Sequence, residues 1–373
     1  MTHAAEAGIV LVDPRPYGNG ADDALVAGAM GAASGQGAGR SGLVAALRGR
    51  LSDGDDASIR ASFAAAPNQR IRLSILDALK AAIDDPDSRD ADGLLTRVFA
   101  IPVLFVTGGK PGAVVAGLMP DAAAVSALLV QHGALGQTEN FGIAASLATA
   151  ETLDALPPSL LYRWTRSIGL GDDPATRALA GTEIVVDAAE ETVHLRFLVG
   201  AGVAPAQGLS FVESASRIGA WGMPVTRELA AQLGQEGLSL LALPRPPRSL
   251  VVAVSAGAFA REETRLNLFA STVLRRLRTS VGEPVAVIST HTGGELRIAL
   301  SSVFDERVRE GFRWRLDRFD DLGEVVSSVL ALLRDCRILD VRVVPGLQPD
   351  RDATGMPRFL SVHDLGPSGE VRP

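Results

Sequence analysis

The chain has a single cysteine, Cys336, among 373 residues, which excludes an internal disulfide. Its place just beyond an apolar helical stripe reads as a buried structural thiol, with a reactive thiol as the alternative. Histidine is also scarce. His3, His132, His194, His291 and His363 share no ligand spacing of the H-x-x-x-H kind, so no metal site is expected. No apolar run approaches the ~18 residues that a membrane span needs. The N-terminal stretch MTHAAEAGIVLVDPRP lacks a basic region followed by a long apolar one. It is not a signal peptide by that pattern, and the expected location is cytoplasmic. There is no G-x-S-x-G elbow, and no G-x-G-x-x-G opening a helix after a strand. No cofactor is therefore expected. A net charge of −7 argues against a nucleic-acid coat or a polybasic membrane binder.

What is present suffices for a folded core: 47% hydrophobic residues against 21% charged. The length suggests two or three domains of roughly 100–200 residues each. The expected class is α/β (α+β), in five stretches. Residues 1–40 are rich in Gly and Ala and read as a flexible arm. Residues 41–92 read as a small helical subdomain. There Leu43, Leu47 and Leu51 mark one helix, and Ile71, Leu76, Leu79 and Ile83 mark another. Residues 93–247 form a second α/β region, with Pro224 interrupting a helix near its end. Residues 248–346 form the most regular unit. Residues 347–373 are a tail in which Phe359–Val362 is placed as a last docked strand.

In the regular unit, Leu250–Val254 (LVVAV) is β-branched and apolar and reads as a buried strand. Leu266, Phe269, Ala270, Val273, Leu274 and Leu277 form a helical stripe. Val285–Ile288 and Glu295–Leu300 are strands joined by the turn Ser289-Thr290-His291-Thr292-Gly293-Gly294, whose Gly-Gly is a hairpin signature. Asp321 with Glu324 has capping-box spacing before a helix striped with Val325, Val329 and Leu333. Leu339, Val341 and Val343 alternate in a final strand. The order βαββαβ resembles the ferredoxin-like arrangement. A similar strand, TGG turn, strand, helix, strand order in residues 98–150 suggests two related halves.

Candidate chemistry is sparse. Gly108-Gly109-Lys110-Pro111-Gly112 misses the phosphate-loop spacing, and Pro111 lacks an N–H, so it reads as a hairpin turn. Lys110 is nonetheless a cation at a turn. His291 and Glu295 flank the second turn, where they read either as an acid–base pair or as a solvated hairpin tip. The segment 307–321 (RVREGFRWRLDRFDD) interleaves arginine with aromatics. Arg313, Trp314 and Arg315 are residue types enriched at binding hot spots. One reading is a partner surface; the other is a strand with Phe312, Trp314 and Leu316 buried.

The functional expectation is a non-enzymatic cytoplasmic assembly, scaffold or regulatory protein that binds itself or a protein partner. The alternative is an enzyme or small-molecule-binding protein with a pocket between the two α/β halves, using Lys110, His291 and Glu295.

Overall fold

A computed structural model describes residues 22–35, 37–84, 94–109, 111–134, 139–166, 183–185, 192–205, 215–236, 238–280, 284–292, 294–305, 309–317, 319–348, 357–366 and 370–371. The protein is mixed α/β, with two compact units lying within residues 16–261 and 262–373.

The larger unit begins with helices α1 (Asp22–Ala33), α2 (Gly37–Asp53), α3 (Asp56–Ala65) and α4 (Gln69–Ile83). It continues with β1 (Leu94–Gly109), β2 (Val114–Val115), α5 (Ala122–Gln131), β3 (Glu139–Ala148), α6 (Ala150–Asp154), α7 (Pro158–Trp164), β4 (Ile184–Val185) and β5 (Thr192–Pro205). Helix α8 (Ile218–Leu233), β6 (Leu238–Pro244) and β7 (Arg248–Ser249) follow. The main sheet is antiparallel, in the order β3-β5-β1-β6, with β7 also on β1. Strand β1 alternates between two cores. Val98, Ala100 and Leu104 meet the N-terminal helices, while Phe99, Ile101, Val103 and Phe105 meet α5 and α8. Cover on both faces is why this strand reads as an unbroken apolar run.

Several expectations are corrected here. Residues 22–33, placed in the flexible arm, form a packed helix with Leu25 and Ala29 buried. The small residues that suggested mobility instead permit close helix contact. A Cβ at Gly39 would sit 2.8 Å from the Ala32 amide nitrogen. The helices of 41–92 are not a separate core, because they share one with β1 and β5. Strand β2 pairs with β4 rather than returning on β1, so no hairpin like that at 292–294 forms around 107–112. Helix α8 runs through Pro224 without ending, with Trp221 and Val225 buried on either side of it.

The largest correction concerns Leu250–Val254. It is not a strand but the start of α9 (Leu250–Ser280). Leu250, Ala253 and Ala260 are buried at helical spacing against the main sheet. Gly257 approaches so closely that a Cβ there would lie 2.8 Å from the Phe197 ring. That tertiary fit overrides the local preference of the Val residues for strand. The boundary between units therefore falls inside α9, between Arg261 and Glu262, and not near 247.

The smaller unit continues with β8 (Pro284–His291), β9 (Glu295–Ser302), β10 (Arg309–Arg315), α10 (Leu322–Asp335) and β11 (Asp340–Leu347). The sheet order is β10-β9-β8-β11, with β11 parallel to β8 and the other pairs antiparallel. A helix, a three-stranded meander, a second helix and a parallel strand replace the ferredoxin-like βαββαβ order. Within the arginine–aromatic segment, Arg309–Arg315 supplies the third meander strand. Asp321 caps α10 by accepting from the Glu324 amide at 3.0 Å. The tail docks, but not as a strand of this sheet: Leu360 and Leu365 pack on Val287 and Val344.

Candidate functional site

Strand parity gives the smaller sheet two faces. One carries Ile288, Leu296, Ile298, Phe312 and Trp314, all buried. Phe312 meets Phe269 of α9 at 5.6 Å between ring centroids. The other face carries His291, Glu295, Arg297 and Arg313, and the tail covers it.

Glu295 is the hub of that second face, and its side chain is 5% exposed. Arg297 Nε donates to its Oε1 at 2.8 Å, and Arg297 Nη2 lies 2.7 Å from the same oxygen. Arg313 donates to its Oε2. Burial pushes the Glu295 carboxyl up, but the hydrogen bonds and charges of the two arginines outweigh it and hold the group below the usual carboxylate range. The third nitrogen of the Arg297 fork, Nη1, donates to the Arg358 carbonyl at 2.8 Å. Nearby, Phe359 presses on Gly311, where a Cβ has no room. Asp364 accepts from Ser361 and Arg309 and draws the same tail onto β10.

His291 faces Glu295 across the hairpin in register, and it is buried, not at a solvated tip. Its Nδ1 lies 3.3 Å from the Gln348 carbonyl, which only accepts, so that nitrogen carries the proton. Its Nε2 lies 3.0 Å from Ser289 Oγ. Imidazole and carboxylate are thus each engaged by other groups. Trp314 is 1% exposed and belongs to the core; Arg313 is committed to Glu295; Arg315 is exposed. Lys110 lies outside the described residues.

Three features escaped the sequence reading. First, β11 is an edge strand, and no other strand pairs on its far side among the described residues. Leu339, just before it, is 80% exposed and Val343 within it is 43% exposed. Phe304, just past β9 at the same end of the sheet, is 81% exposed. The alternation at 339–343 marks a strand, but sequence alone does not say that its outer edge stays open. Second, an open groove of about 480 Å³ runs beside α2 and α7, lined by Tyr162, Arg163, Trp164 and Arg166. The Arg166 guanidinium stacks 3.5 Å over the Tyr162 ring. Arg163 and Arg166 one turn apart were the signal available for it. Third, a small void with room for about one water is lined by Asp84, Thr165 and Ser249. Burial pushes the Asp84 carboxyl up, and Arg97 and Lys80 pull it back part of the way.

Among the described residues no group of three or more His, Cys, Asp and Glu side chains is arranged to hold a metal ion. No described helix is long and apolar enough to cross a membrane. Compared with protein-family models, curated proteins and solved structures, the chain matches none.

Proposed function

We propose that this chain is a non-enzymatic assembly or regulatory protein of the cytoplasm that acts through protein–protein contacts, including contacts with itself. The observation that carries this reading is the β11 edge of the smaller sheet, which no described strand pairs on its far side and which exposes apolar side chains. Leu339 and Val343 lie along β11, and Val303 and Phe304 lie at the same end. An unpaired sheet edge is a template for another chain, and this one exposes Leu339 and Val343 beside the charged Asp340 and Arg342. The arginine–aromatic segment supports the reading differently from its appearance in sequence. Its aromatics Phe312 and Trp314 are buried in the core of the smaller unit, while Arg315 remains on the surface.

Sedimentation velocity on the full chain, from low to high micromolar concentration, tests this. A weight-average mass that rises reversibly with concentration supports assembly. A monomer throughout, whose behaviour is unchanged by Phe304→Lys and Leu339→Lys, overturns it.

A second reading rests on the groove beside α7. Two arginines and a tyrosine fit an anionic, planar small molecule, and equilibrium dialysis against a nucleoside monophosphate tests it. Binding lost in Arg166→Ala supports this reading, and the absence of binding removes it.

A further inference from the structure

Building on the assembly reading, we infer that the occupant of the open edge is a second copy of this chain, with β11 pairing antiparallel to β11 about a two-fold axis at Val341. The two four-stranded sheets then join into one continuous sheet.

One register of this edge is self-complementary. In an antiparallel pair, residues directly opposite one another point to the same face. Centring on Val341 places Asp340 of each copy opposite Arg342 of the other. It also places Leu339 opposite Val343, so the two exposed apolar residues cover each other. Asp340 and Arg342 are 54% and 39% exposed, and within one copy they stand 3.6 Å apart. Both side chains lie at the surface, so the cross-strand pairs extend or replace this exposed ion pair without disturbing the core. The neighbouring registers that keep the same faces together are worse. Centring on residue 340 sets Asp340 against Asp340, and centring on 342 sets Arg342 against Arg342. Like charges directly opposite destabilise a strand pair. Odd-sum registers require one sheet to turn over, which puts Leu339 and Val343 opposite residues of the other face.

The geometry also limits the length of the contact. The β11 ladder shifts register after Val344, and Gly346 has a φ of 73°, so the regular edge ends there. A contact of about six residues is below the roughly 1,200–2,000 Å² of a stable complex. The dimer is accordingly in reversible equilibrium with monomer, and its interface is isologous.

Charge reversal provides the test, read by sedimentation equilibrium with circular dichroism to confirm folding. Asp340→Arg converts both cross-strand pairs to Arg–Arg and is expected to weaken association by about tenfold. Arg342→Asp converts both to Asp–Asp, with a similar loss. An equimolar mixture of the two single variants regenerates opposite charges at every pair and recovers association, as does the double variant Asp340→Arg/Arg342→Asp. A wild-type dimer indifferent to all four samples overturns this interface while leaving the assembly reading standing. A wild-type chain that stays monomeric overturns both.

Discussion

Arg297 and Arg358 are joined by a hydrogen bond, from Nη1 of the first to the backbone carbonyl of the second, at 2.8 Å. Because Arg297 also holds Glu295, one buried guanidinium links the centre of the smaller sheet to the tail that covers it. Removing it leaves Glu295 buried with the partly exposed Arg313 as its remaining ion-pair partner among the described residues. Arg297→Ala is therefore expected to destabilise the protein by about 3 to 5 kcal/mol in urea unfolding. Arg313→Ala, whose side chain is 38% exposed, is expected to lose only about 1 kcal/mol. Equal losses would contradict this ranking.

Acidity tests a different region. Burial raises the Asp320 carboxyl from 3.8 to about 6, and the nearby Asp317 and Glu262 charges add to the rise against a hydrogen bond from the Asp317 amide. Between about pH 4 and pH 6 the folded state holds a proton that the unfolded state has lost. Stability from this group therefore falls as pH rises through that window, and the penalty is full above it. Asp320→Asn is expected to raise the Tm by a few degrees near neutral pH and to leave it unchanged near pH 3. Glu295 and Asp364, with lowered values, act in the opposite sense, and their contributions are lost in acid. The difference between wild type and the Asn variant isolates Asp320 from them.

Glycine substitutions separate packing from propensity. Gly257→Ala drives a methyl into the Phe197 ring and is expected to destabilise by about 1 to 3 kcal/mol. Gly49→Ala, in α2, meets nothing within 4 Å and is expected to stabilise by about 0.5 to 1 kcal/mol. Thermal unfolding of the pair checks both signs.

Ser249 is 2% exposed, and its hydroxyl has no hydrogen-bond partner among the described residues. Ser249→Ala is expected to raise stability by roughly 1 kcal/mol, the cost of desolvating that hydroxyl. A loss of similar size would show that the hydroxyl is held by water in the adjoining void.

These contrasts explain what the sequence could convey. The β8–β9 hairpin, the Asp321 cap and the stripes of α9 and α10 were legible because each is set by neighbours a few residues away. Leu250–Val254 was not, because its helix is decided by Ala253, Gly257 and Ala260 fitting the sheet at Leu195 and Phe197. The same holds for 22–33, where small side chains serve helix contact rather than freedom. His291 and Glu295 looked solvent-facing by alternation alone. The groups that engage this face from the tail, Gln348 beside His291 and the Arg358 carbonyl on Arg297, lie about 60 residues away along the chain, beyond any local pattern. The interleaved aromatics of 312–314 were readable as a strand with one buried face. The open edge at Leu339 and Val343 depends on the order of strands in the sheet, which periodicity does not encode.

The most direct measurement of the central claim uses cysteine placement at the two-fold axis. In a Cys336→Ser background, Val341→Cys puts two thiols opposite each other, at the Cα separation of about 4.5 to 5.5 Å that suits a disulfide. Mild oxidation of that variant followed by a non-reducing gel should give a covalent dimer. Leu339→Cys alone should not cross-link, but should do so when mixed with Val343→Cys. Equal cross-linking at 339 and 341 alone, or none at 341, would contradict the pairing.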